Sequence, residues 1–530
     1  MTRPLWCYSL FYYCIRHGVS GNPANFKKFV YFFLSISMFG ALSCKPSKKE
    51  RQQALYQSYC ASCHLAPAIE DLPRNTWAKS VLPDMAARLG IEDGDYNPYR
   101  GLTYREQEEV IKTGIYPGQP LIARQDWELL KEYILEMAPA DIGEIKNRTI
   151  LPQQELFELK VLLSDSIQGT YISSLDFEEQ NSTLFTGDLD GRLRKFNFKD
   201  STWQDMGSFE KGITSYSGKD SLEIVTSVGK LDPSEIARGN LFNANTGERI
   251  ALPGLLHRPV HSLAVDLDQD QVCEILVSEF GNLRGSLSLF KKNTEGTYDK
   301  KILMHQAGVI KTAVEDMNAD GLQDIIALTS QGDESITLLS QQQDGEFIQE
   351  KLIRYSPIYG SSWFELLDYD KDGDMDIVSV HGDNADKTYI HKPYHGMRLY
   401  LNDGENRFEE AYFFPMHGAT RVSARDFDQD GDIDFALLST FPDYENEMLE
   451  TFIYLENEDS DNFSFKAIGQ SISDMGRWFL MDTGDVDQDG DTDLILTAFT
   501  YAFTPIPEEQ LKAWDMYGID ILLLENQTVD

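Results

Sequence analysis

The stretch DYDKDGDMD at residues 368–376 places aspartates at its first, third, fifth and ninth positions and a glycine at its sixth. Oxygen ligands at this spacing suit a hard cation such as calcium, and the glycine permits a sharp turn. An EF-hand would need a glutamate at position 12 and flanking helices, but position 12 is Ser379 and a strand-like run follows. The stretch therefore predicts a calcium loop between two β-strands.

The same motif recurs further along the chain. Four clear copies begin at residues 316, 368, 426 and 485, and a fifth, at 266, lacks the glycine and ends in Glu274. Successive copies are 50, 52, 58 and 59 residues apart, a period typical of four-stranded propeller blades. We expect four calcium ions, with a fifth left open. The predicted ligands are Asp316, Asn318, Asp320, Asp324, Asp368, Asp370, Asp372, Asp376, Asp426, Asp428, Asp430, Asp434, Asp485, Asp487, Asp489, Asp493, Asp266, Asp268, Asp270 and Glu274.

Blades can be counted outward from these motifs. Two strand-rich stretches without the motif, at residues 171–198 and 213–230, precede the five motif-bearing blades. The sequence thus predicts an all-β propeller over residues 155–527, with seven blades favoured and six or eight left open.

The repeated DxDxDGxxD loops also carry a family resemblance. Over residues 155–527 the chain resembles the FG-GAP/VCBS repeat family, whose calcium-binding blades resemble those of the integrin α-chain head. The resemblance implies a β-propeller with cations bound in the loops.

A second motif, Cys60-Ala61-Ser62-Cys63-His64, has the C-x-x-C-H pattern of covalent c-type haem attachment. We expect the two thiols, on one helical turn, to bind the haem vinyl groups and His64 to be the proximal iron ligand. Zinc binding or thiol redox exchange is the alternative, but no second Cys/His pair follows. The sequence predicts one covalent haem c in a small all-α cytochrome c domain at residues 45–145.

The composition of residues 45–150 leaves few candidates for the sixth iron ligand. Between residues 45 and 150, His64 is the only histidine, and Met85 and Met137 are the only methionines. Met85 lies in TWAKSVLPDM, which resembles the distal segment of small cytochromes c, so it is favoured. Met137, on an amphipathic C-terminal helix, and an open site remain alternatives. Histidine–methionine ligation would raise the reduction potential and suit electron transfer.

The N-terminal segment, residues 1–44, reads as an export signal. Lys27 and Lys28 precede an apolar run at residues 29–40, which is short for a membrane span. Small residues at 41–43 then lead to Cys44, as in a relaxed lipobox. We expect a bacterial lipoprotein acylated and membrane-tethered at Cys44, in the periplasm or at the outer membrane or cell surface. A plain signal anchor is the alternative.

The net charge of the chain limits the classes of partner that it can bind. The 530-residue chain has a formal net charge of −39, which argues against nucleic-acid binding because phosphates would be repelled. Aromatic residues make up 12%, as expected for folded domains, and the length calls for more than one domain.

A ligand funnel is predicted on the propeller face opposite the calcium loops. Residues just before the first strand of a blade and just after its second strand share that face, and here they are polar. Convergent polar groups at a propeller mouth can bind a ligand, although ordinary polar loops are the alternative. The candidates are Arg258, His261, Lys311, Glu334, Asp383, Asn384 and His395.

The chain also resembles exported bacterial proteins that fuse one cytochrome c domain to such a propeller. The segments that carry this resemblance are LPDMAARLG, HRPVHSLAVDLD, FGNLRG and GDNADKTYIHKPYHGMRLYLNDG.

Three functions are consistent with this organisation. The favoured function is electron transfer, with the propeller docking a redox partner protein or an extracellular glycan. The alternatives are a haem-linked oxidoreductase acting on a carbohydrate-like substrate in the funnel and a calcium-stabilised adhesion or scaffold module. No nucleotide-binding G-x-G-x-x-G, nucleophile elbow or H-E-x-x-H motif indicates a self-contained enzyme.

Overall fold

The computed structural model describes residues 46–145, 148–152, 155–164, 170–219, 222–384, 389–500 and 504–529. Helices occupy the first of these ranges, and strands dominate from Leu151 onward. The predicted signal segment at 1–44 and its Cys44 lie outside the described residues. Within the described ranges, no helix combines the length and apolar character needed to cross a membrane.

Six α-helical segments occur in the described chain, five before the strands and one near the end. They are α1 (Lys48–Tyr59), α2 (Arg74–Thr76), α3 (Leu82–Arg88), α4 (Tyr104–Thr113), α5 (Arg124–Met137) and α6 (Glu508–Tyr517). A π-helical turn at Trp77–Val81 joins α2 to α3, and its Leu82 amide donates to the Trp77 carbonyl. Pro83 explains this turn, because it has no amide hydrogen to continue the ordinary helical ladder.

The helical part has an apolar core of its own. On α5, Trp127, Leu130, Tyr133 and Ile134 recur at helical spacing and are buried. They pack with Trp77, from the π-turn, and with apolar residues of α3. This core positions α3, which carries Met85, beside α5.

Seven sheets make up the rest of the chain and confirm the seven-bladed β-propeller. Blade 1 is β3 (Ile172–Glu178), β4 (Thr183–Asp188), β5 (Arg192–Asn197) and β6 (Thr202–Ser208); blade 2 is β7 (Ile213–Lys219), β8 (Leu222–Ser227) and β9 (Asn240–Asn243); blade 3 is β10 (Pro259–Val265), β11 (Glu274–Glu279), β12 (Ser286–Lys292) and β13 (Tyr298–Met304); blade 4 is β14 (Val309–Glu315), β15 (Asp324–Thr329), β16 (Ser335–Gln341) and β17 (Phe347–Arg354). Blade 5 is β18 (Ser361–Leu367), β19 (Asp376–His381), β20 (Gly396–Asn402) and β21 (Phe408–Pro415); blade 6 is β22 (Ala419–Arg425), β23 (Asp434–Ser439), β24 (Phe452–Asp459) and β25 (Ser464–Gln470), with β1 (Leu151–Pro152) added in parallel; blade 7 is β26 (Trp478–Gly484), β27 (Asp493–Ala498), β28 (Ile521–Asn526) and β2 (Phe157–Leu162).

The strands of each blade are antiparallel neighbours, and the first strands form the inner ring around the central channel. The second strands of blades 3–7 are buried at every position. Because neighbouring blades cover both faces of these strands, their central positions are mostly apolar and do not alternate with exposed polar residues.

The ring is closed by a strand that the repeat pattern does not reveal. β2 comes before blade 1 in the chain but pairs antiparallel with β28 as the fourth strand of blade 7, with Phe157 opposite Asn526. The Phe157 side chain packs edge-on against Phe427 and Tyr454 of blade 6. Both ends of the propeller sequence therefore contribute to one blade, and no blade edge is left unpaired at the junction.

Candidate functional site

The five acidic motifs lie in equivalent places, in the loops that lead from the first to the second strand of blades 3 to 7. We call them the blade 3 loop (266–274), blade 4 loop (316–324), blade 5 loop (368–376), blade 6 loop (426–434) and blade 7 loop (485–493). They share one face of the ring, and the opposite face is called the upper face below.

A common backbone geometry shapes these loops. The glycines at position 6 have φ between 86° and 105°, in the region that side chains disfavour. In the blade 7 loop, the first aspartate, Asp485, accepts hydrogen bonds from the amides of Asp489 and Gly490, both at 3.1 Å. The predicted need for glycine at this turn agrees with the observed conformation.

Position 9 ties each loop to the blade behind it. In the blade 6 loop, the Asp434 carboxylate accepts from the amides of Phe427 at 3.2 Å and Asn457 at 2.8 Å, and from the Tyr454 hydroxyl at 2.7 Å. Asp493 accepts two backbone amides in the same way. Burial raises the pKa of Asp434 and of Asp493 to about 7. These carboxylates are therefore unfavourable as anions until a positive charge lies beside them.

Three loops bring carboxylates close together and leave buried oxygens unsatisfied. One ligand oxygen from each member of a group lies within 4.8 Å of the others in the sets Asp368, Asp370 and Asp376; Asp426, Asp428 and Asp430; and Asp485, Asp487 and Asp493. Buried oxygens with no hydrogen-bond donor in the described parts of the chain belong to Asp368, Asp374, Asp426, Asp432 and Asp491. Such acceptors are costly unless a cation or another donor satisfies them. Carboxylate oxygens are also the ligands that a hard divalent cation prefers, so these groups fit such an ion.

Position 7 is a further candidate ligand position that sequence reasoning did not include among the side-chain ligands. It is Asp374, Asp432 and Asp491 in the blade 5, 6 and 7 loops. Asp491 is only 2% exposed, and its Oδ1 has no partner in the described structure. The signal was in the sequence, because three of the four clear copies carry aspartate at this position.

The five loops are not equivalent. The blade 4 loop has Asn318 at position 3 and Leu322 at position 7, and among the described residues its Asp316, Asp320 and Asp324 do not form a close carboxylate group. The blade 3 loop does form one, from Asp266, Asp268 and Glu274. The remaining predicted ligands of the blade 3, 5, 6 and 7 loops lie in their loops but outside the close groups; they are Asp270, Asp372, Asp434 and Asp489.

Position 4 links neighbouring loops around the ring. The Gln429 side chain donates to the carbonyl of Gly490 in the next blade at 2.9 Å, and Lys371 and Gln269 reach Gly431 and Gly321 in the same way. Hydrogen bonds of this kind thus join the blade 3 loop to the blade 4 loop, the blade 5 loop to the blade 6 loop and the blade 6 loop to the blade 7 loop.

The C-x-x-C-H motif lies in the turns that follow α1. The helix ends at Tyr59, so Cys60 and Cys63 are not on one helical turn, and that expectation was wrong. The Ser62 hydroxyl donates to the Tyr59 carbonyl at 2.9 Å and takes the place of the next helical amide. Cys60 is half-buried, whereas Cys63 is exposed.

The His64 ring has a defined orientation. Its Nδ1 lies 2.8 Å from the Leu65 carbonyl oxygen, the distance of a hydrogen bond that an Nδ1–H would donate. In that tautomer the Nε2 lone pair is available to a metal, the usual arrangement of an iron-bound histidine. Burial raises the pKa of the Cys60 thiol to about 12, which keeps it protonated.

The two candidate methionines differ in their surroundings. Met85 is half-buried and packs against the same apolar core as Cys60. Met137 is 51% exposed at the end of α5. The same core contains Trp127, whose indole Nε1 is buried and has no acceptor in the described chain. Met85, rather than Met137, therefore shares an environment with the attachment motif.

The predicted funnel residues are mostly enclosed rather than displayed at an open mouth. Glu334, Asn384 and His395 are more than nine-tenths buried, and Arg258 and Asp383 are partly buried. His261 and Lys311 lie on the inner strands β10 and β14.

The central channel contains a cation–aromatic group. The Lys311 Nζ lies 3.4 Å from the centre of the Trp363 ring, and the Arg421 guanidinium carbon lies 4.6 Å from it. Burial lowers the pKa of Lys311 to about 7 and that of His261 to about 3. The channel interior is therefore lined by polar groups whose charge is costly to maintain.

A chain of buried hydrogen bonds joins blades 4 and 5 near the upper face. The Tyr355 hydroxyl is 3.1 Å from Ser379 Oγ, which is 3.0 Å from His381 Nε2. His381 Nδ1 is 2.9 Å from Ser361 Oγ, which donates to Glu334 at 2.6 Å. Sequence reasoning found only Glu334, because the other members of the chain come from three separate segments, with Ser379 and His381 sharing β19.

Burial of Glu334 should make the folding stability pH-dependent. Burial raises the pKa of Glu334 from 4.5 to about 7. The folded protein then holds this proton over a pH range in which the unfolded chain has lost it, so stability should fall between those values and level off above pH 7. Glu334→Gln should remove this fall, worth at most about 1.4 kcal/mol per pH unit.

Denaturant unfolding of wild type and Glu334→Gln at several pH values between 5 and 8 measures the difference. The variant should gain stability relative to wild type as the pH rises to 7. A difference that does not vary with pH would contradict the assignment.

The helical part covers the upper face. The Tyr394 hydroxyl, in the loop before β20, donates to the Asp71 carbonyl at 3.0 Å, and Arg284 of blade 3 pairs with Glu109 of α4 at 3.2 Å. Ile358 and Ile390 of blade 5 pack against the apolar core of the helical part. The sequence analysis did not predict this contact between the helical part and the predicted funnel face.

Breaking the apolar contact should release the helical part. Ile358→Asp places a carboxylate against an apolar core and should weaken docking by about 2–3 kcal/mol. Ile348→Asp is the matched control, since Ile348 is 60% exposed on β17. Hydrogen exchange should rise at residues 69–91 in the first variant only. Equal exchange in both variants would argue against the contact.

Comparison with known proteins identifies one repeat family in the chain. A family model described as an FG-GAP-like repeat matches residues 316–379, which span the blade 4 loop and reach into β19 of blade 5. No curated protein matches the sequence. Among solved structures, the β-propeller domain of Cps50 (Swd1) from Myceliophteria thermophila is similar, with 11% identity and a TM-score of 0.39, covering 63% of this chain and 96% of that one. The chain therefore contains an FG-GAP-like repeat within a seven-bladed β-propeller.

Proposed function

We propose that this protein is an exported c-type haem protein that transfers electrons, with a calcium-stabilised propeller as its docking scaffold. A β-propeller with FG-GAP-like repeats suggests a docking or scaffold module. The observation that supports the electron-transfer part is the environment of the C-x-x-C-H motif. Cys60 and Met85 share one apolar core, and His64 presents its Nε2 while Nδ1 faces a carbonyl.

In this proposal Cys60 and Cys63 hold the haem through thioethers, His64 is the proximal ligand and Met85 the distal ligand. Bound in this way, the haem supplies a one-electron Fe(III)/Fe(II) couple. The buried Trp127 indole N–H is a donor suited to a carboxylate such as a haem propionate. Cys60 and Met85 pack against the apolar core, and a low-polarity surrounding on the Met85 side would favour electron transfer over oxygen chemistry.

Electron exchange requires an accessible edge, and the motif provides one. Cys63 is exposed, and Leu65 is 43% exposed. The three consecutive residues 61–63 are all exposed, so a redox partner can approach the motif while the helical part stays docked on the propeller. With a net charge of −39, the chain would favour a basic partner surface.

Calcium is proposed for the acidic loops on the strength of their unsatisfied buried oxygens. The blade 5, 6 and 7 loops have the most complete donor sets, and the blade 4 loop offers fewer carboxylates. The ion would neutralise carboxylates that accept the amides of the strands behind them and would thereby fix each blade.

Redox-difference spectroscopy of the purified, matured protein tests the haem assignment. A reversible c-type spectrum with covalently bound haem, lost in Cys60→Ala/Cys63→Ala, is expected. Absence of haem after expression with a cytochrome maturation system would overturn it. Incubation with extracellular carbohydrates provides the second arm, because direct reduction of the haem would favour the oxidoreductase alternative.

That oxidoreductase alternative has less support. Glu334, Asn384 and His395 are buried, and the helical part lies over the face where a substrate would enter. A glycan docking to the exposed propeller surface remains compatible with the scaffold role.

Export and lipid anchoring are proposed from the sequence of residues 27–44 alone. Metabolic labelling with a fatty acid should modify wild type and not Cys44→Ala. A labelled variant would place the lipid elsewhere and remove the role of Cys44.

A further inference from the structure

The five acidic loops can be compared at one position on the third strand of each blade. Cross-strand pairing sets Ile275 opposite Phe290 in blade 3, so the next pair along is Glu274, at loop position 9, and Lys291. In each of the other blades, the strand pairing likewise identifies the third-strand residue that lies opposite loop position 9. The residues equivalent to Lys291 in blades 4 to 7 are Ser340, Leu401, Glu456 and Glu525. Only blade 3 has a cation there.

The Lys291 ammonium extends into the blade 3 loop. Its Nζ makes a close ion pair with Asp268 and lies 3.4 Å from Glu274 Oε1 and 3.7 Å from Asp270 Oδ2. Asp268 and Glu274 belong to the close carboxylate group of this loop. One side chain therefore contacts three of the loop's four acidic positions.

Apart from this lysine, the blade 3 loop is built like its neighbours. Asp266 accepts the amides of Asp270 at 3.0 Å and Gln271 at 2.9 Å, as the first aspartate does in the blade 7 loop. Gln271 adopts φ 68° at the position where the other loops have glycine. The missing glycine therefore does not prevent the loop conformation. A residue other than glycine is strained at this positive φ, and a stabilising contact has to offset that strain.

The difference lies in satisfaction of the carboxylates. In the described chain, the blade 5, 6 and 7 loops each contain a buried oxygen without a donor, whereas the blade 3 and blade 4 loops contain none. Of these two loops, it is the blade 3 loop whose carboxylates pair with an ammonium group. Lys291 supplies hydrogen bonds and positive charge where the other loops have an apolar, hydroxyl or acidic side chain. A divalent ion in the same place would be repelled by an ammonium a few ångströms away.

We propose that Lys291 takes the place of the cation in the blade 3 loop, so that this blade is independent of metal. The proposal rests on calcium binding by the other loops. Blades 1 and 2 carry no acidic motif, and with blade 3 they form a metal-independent arc of the ring. Metal dependence is confined to the contiguous arc of blades 4 to 7.

Calcium stoichiometry of the full chain tests this directly. Lys291→Gln should open the blade 3 loop and raise the number of calcium ions bound per chain by one, as measured by calorimetry and by terbium luminescence. Lys292→Gln is the matched control, because Lys292 is the next residue on β12 and likewise exposed. It should leave the number unchanged.

The outcomes separate this proposal from the general calcium assignment. An unchanged stoichiometry in Lys291→Gln, with wild type binding calcium, would overturn the lysine proposal alone. A wild type that binds no calcium would overturn the assignment of the other loops, and a variant that also binds none would overturn both. Hydrogen exchange gives a second readout. Chelator should increase exchange at residues 266–274 in Lys291→Gln and leave that segment of wild type unchanged.

Discussion

Chelation of divalent cations is expected to lower the melting temperature of the propeller by about 15 °C. A ligand present at 100 times its dissociation constant stabilises the native state by about 2.7 kcal/mol per site, so three complete loops give about 8 kcal/mol. For a domain of this size each kcal/mol corresponds to roughly 2 °C. The buried oxygens of Asp368, Asp426 and Asp491 are the physical origin, since removal of the ion leaves them without a partner.

Calorimetry in calcium and in EGTA measures this shift. The triple variant Asp368→Asn/Asp426→Asn/Asp485→Asn removes one carboxylate from each complete loop and should respond little to chelator. A wild-type protein with the same melting temperature in both buffers would contradict the calcium assignment. A triple variant that still shifts fully would move the ions to other groups.

Replacement of Met85 by alanine is expected to abolish the sulfur-to-iron charge-transfer band and lower the haem reduction potential. Axial ligands set haem potentials across a range of about 0.8 V, so loss of the thioether should shift the potential by a substantial part of that range. The half-buried position of Met85 on the core shared with Cys60 is the structural reason for this choice.

Met137→Ala is the matched control, because Met137 is 51% exposed and its loss leaves the core intact. Its spectrum and potential should equal those of wild type. An unaltered band in Met85→Ala, or a lost band in Met137→Ala, would transfer the ligand role to Met137.

The acidic loops were the part of the fold most open to prediction. Their chemistry is local, since one nine-residue stretch specifies the turn, the strands on either side and the carboxylates. The period of 50 to 59 residues then gave the blade count. Position 7 could have been included, because Asp374, Asp432 and Asp491 are visible in the repeats.

The remaining features depend on residues far apart in sequence. Lys291 meets Asp268 only once β11 and β12 are paired in register, and nothing in the motif itself signals that contact. The contact of the helical part with the upper face was not predicted, because it joins residues that are far apart in sequence, such as Asp71 and Tyr394. Glu334 was identified from its loop, but its burial follows from partners on blade 5.

The pairing of β2 with β28 has a consequence for biosynthesis. Lys160 and Glu525 form an ion pair across this junction although 365 residues separate them. A ribosome adding 5 to 20 residues per second needs roughly 20 to 70 s to make that interval. During this time β2 leaves the ribosome without its partner strand, and the nascent ring has an open seam.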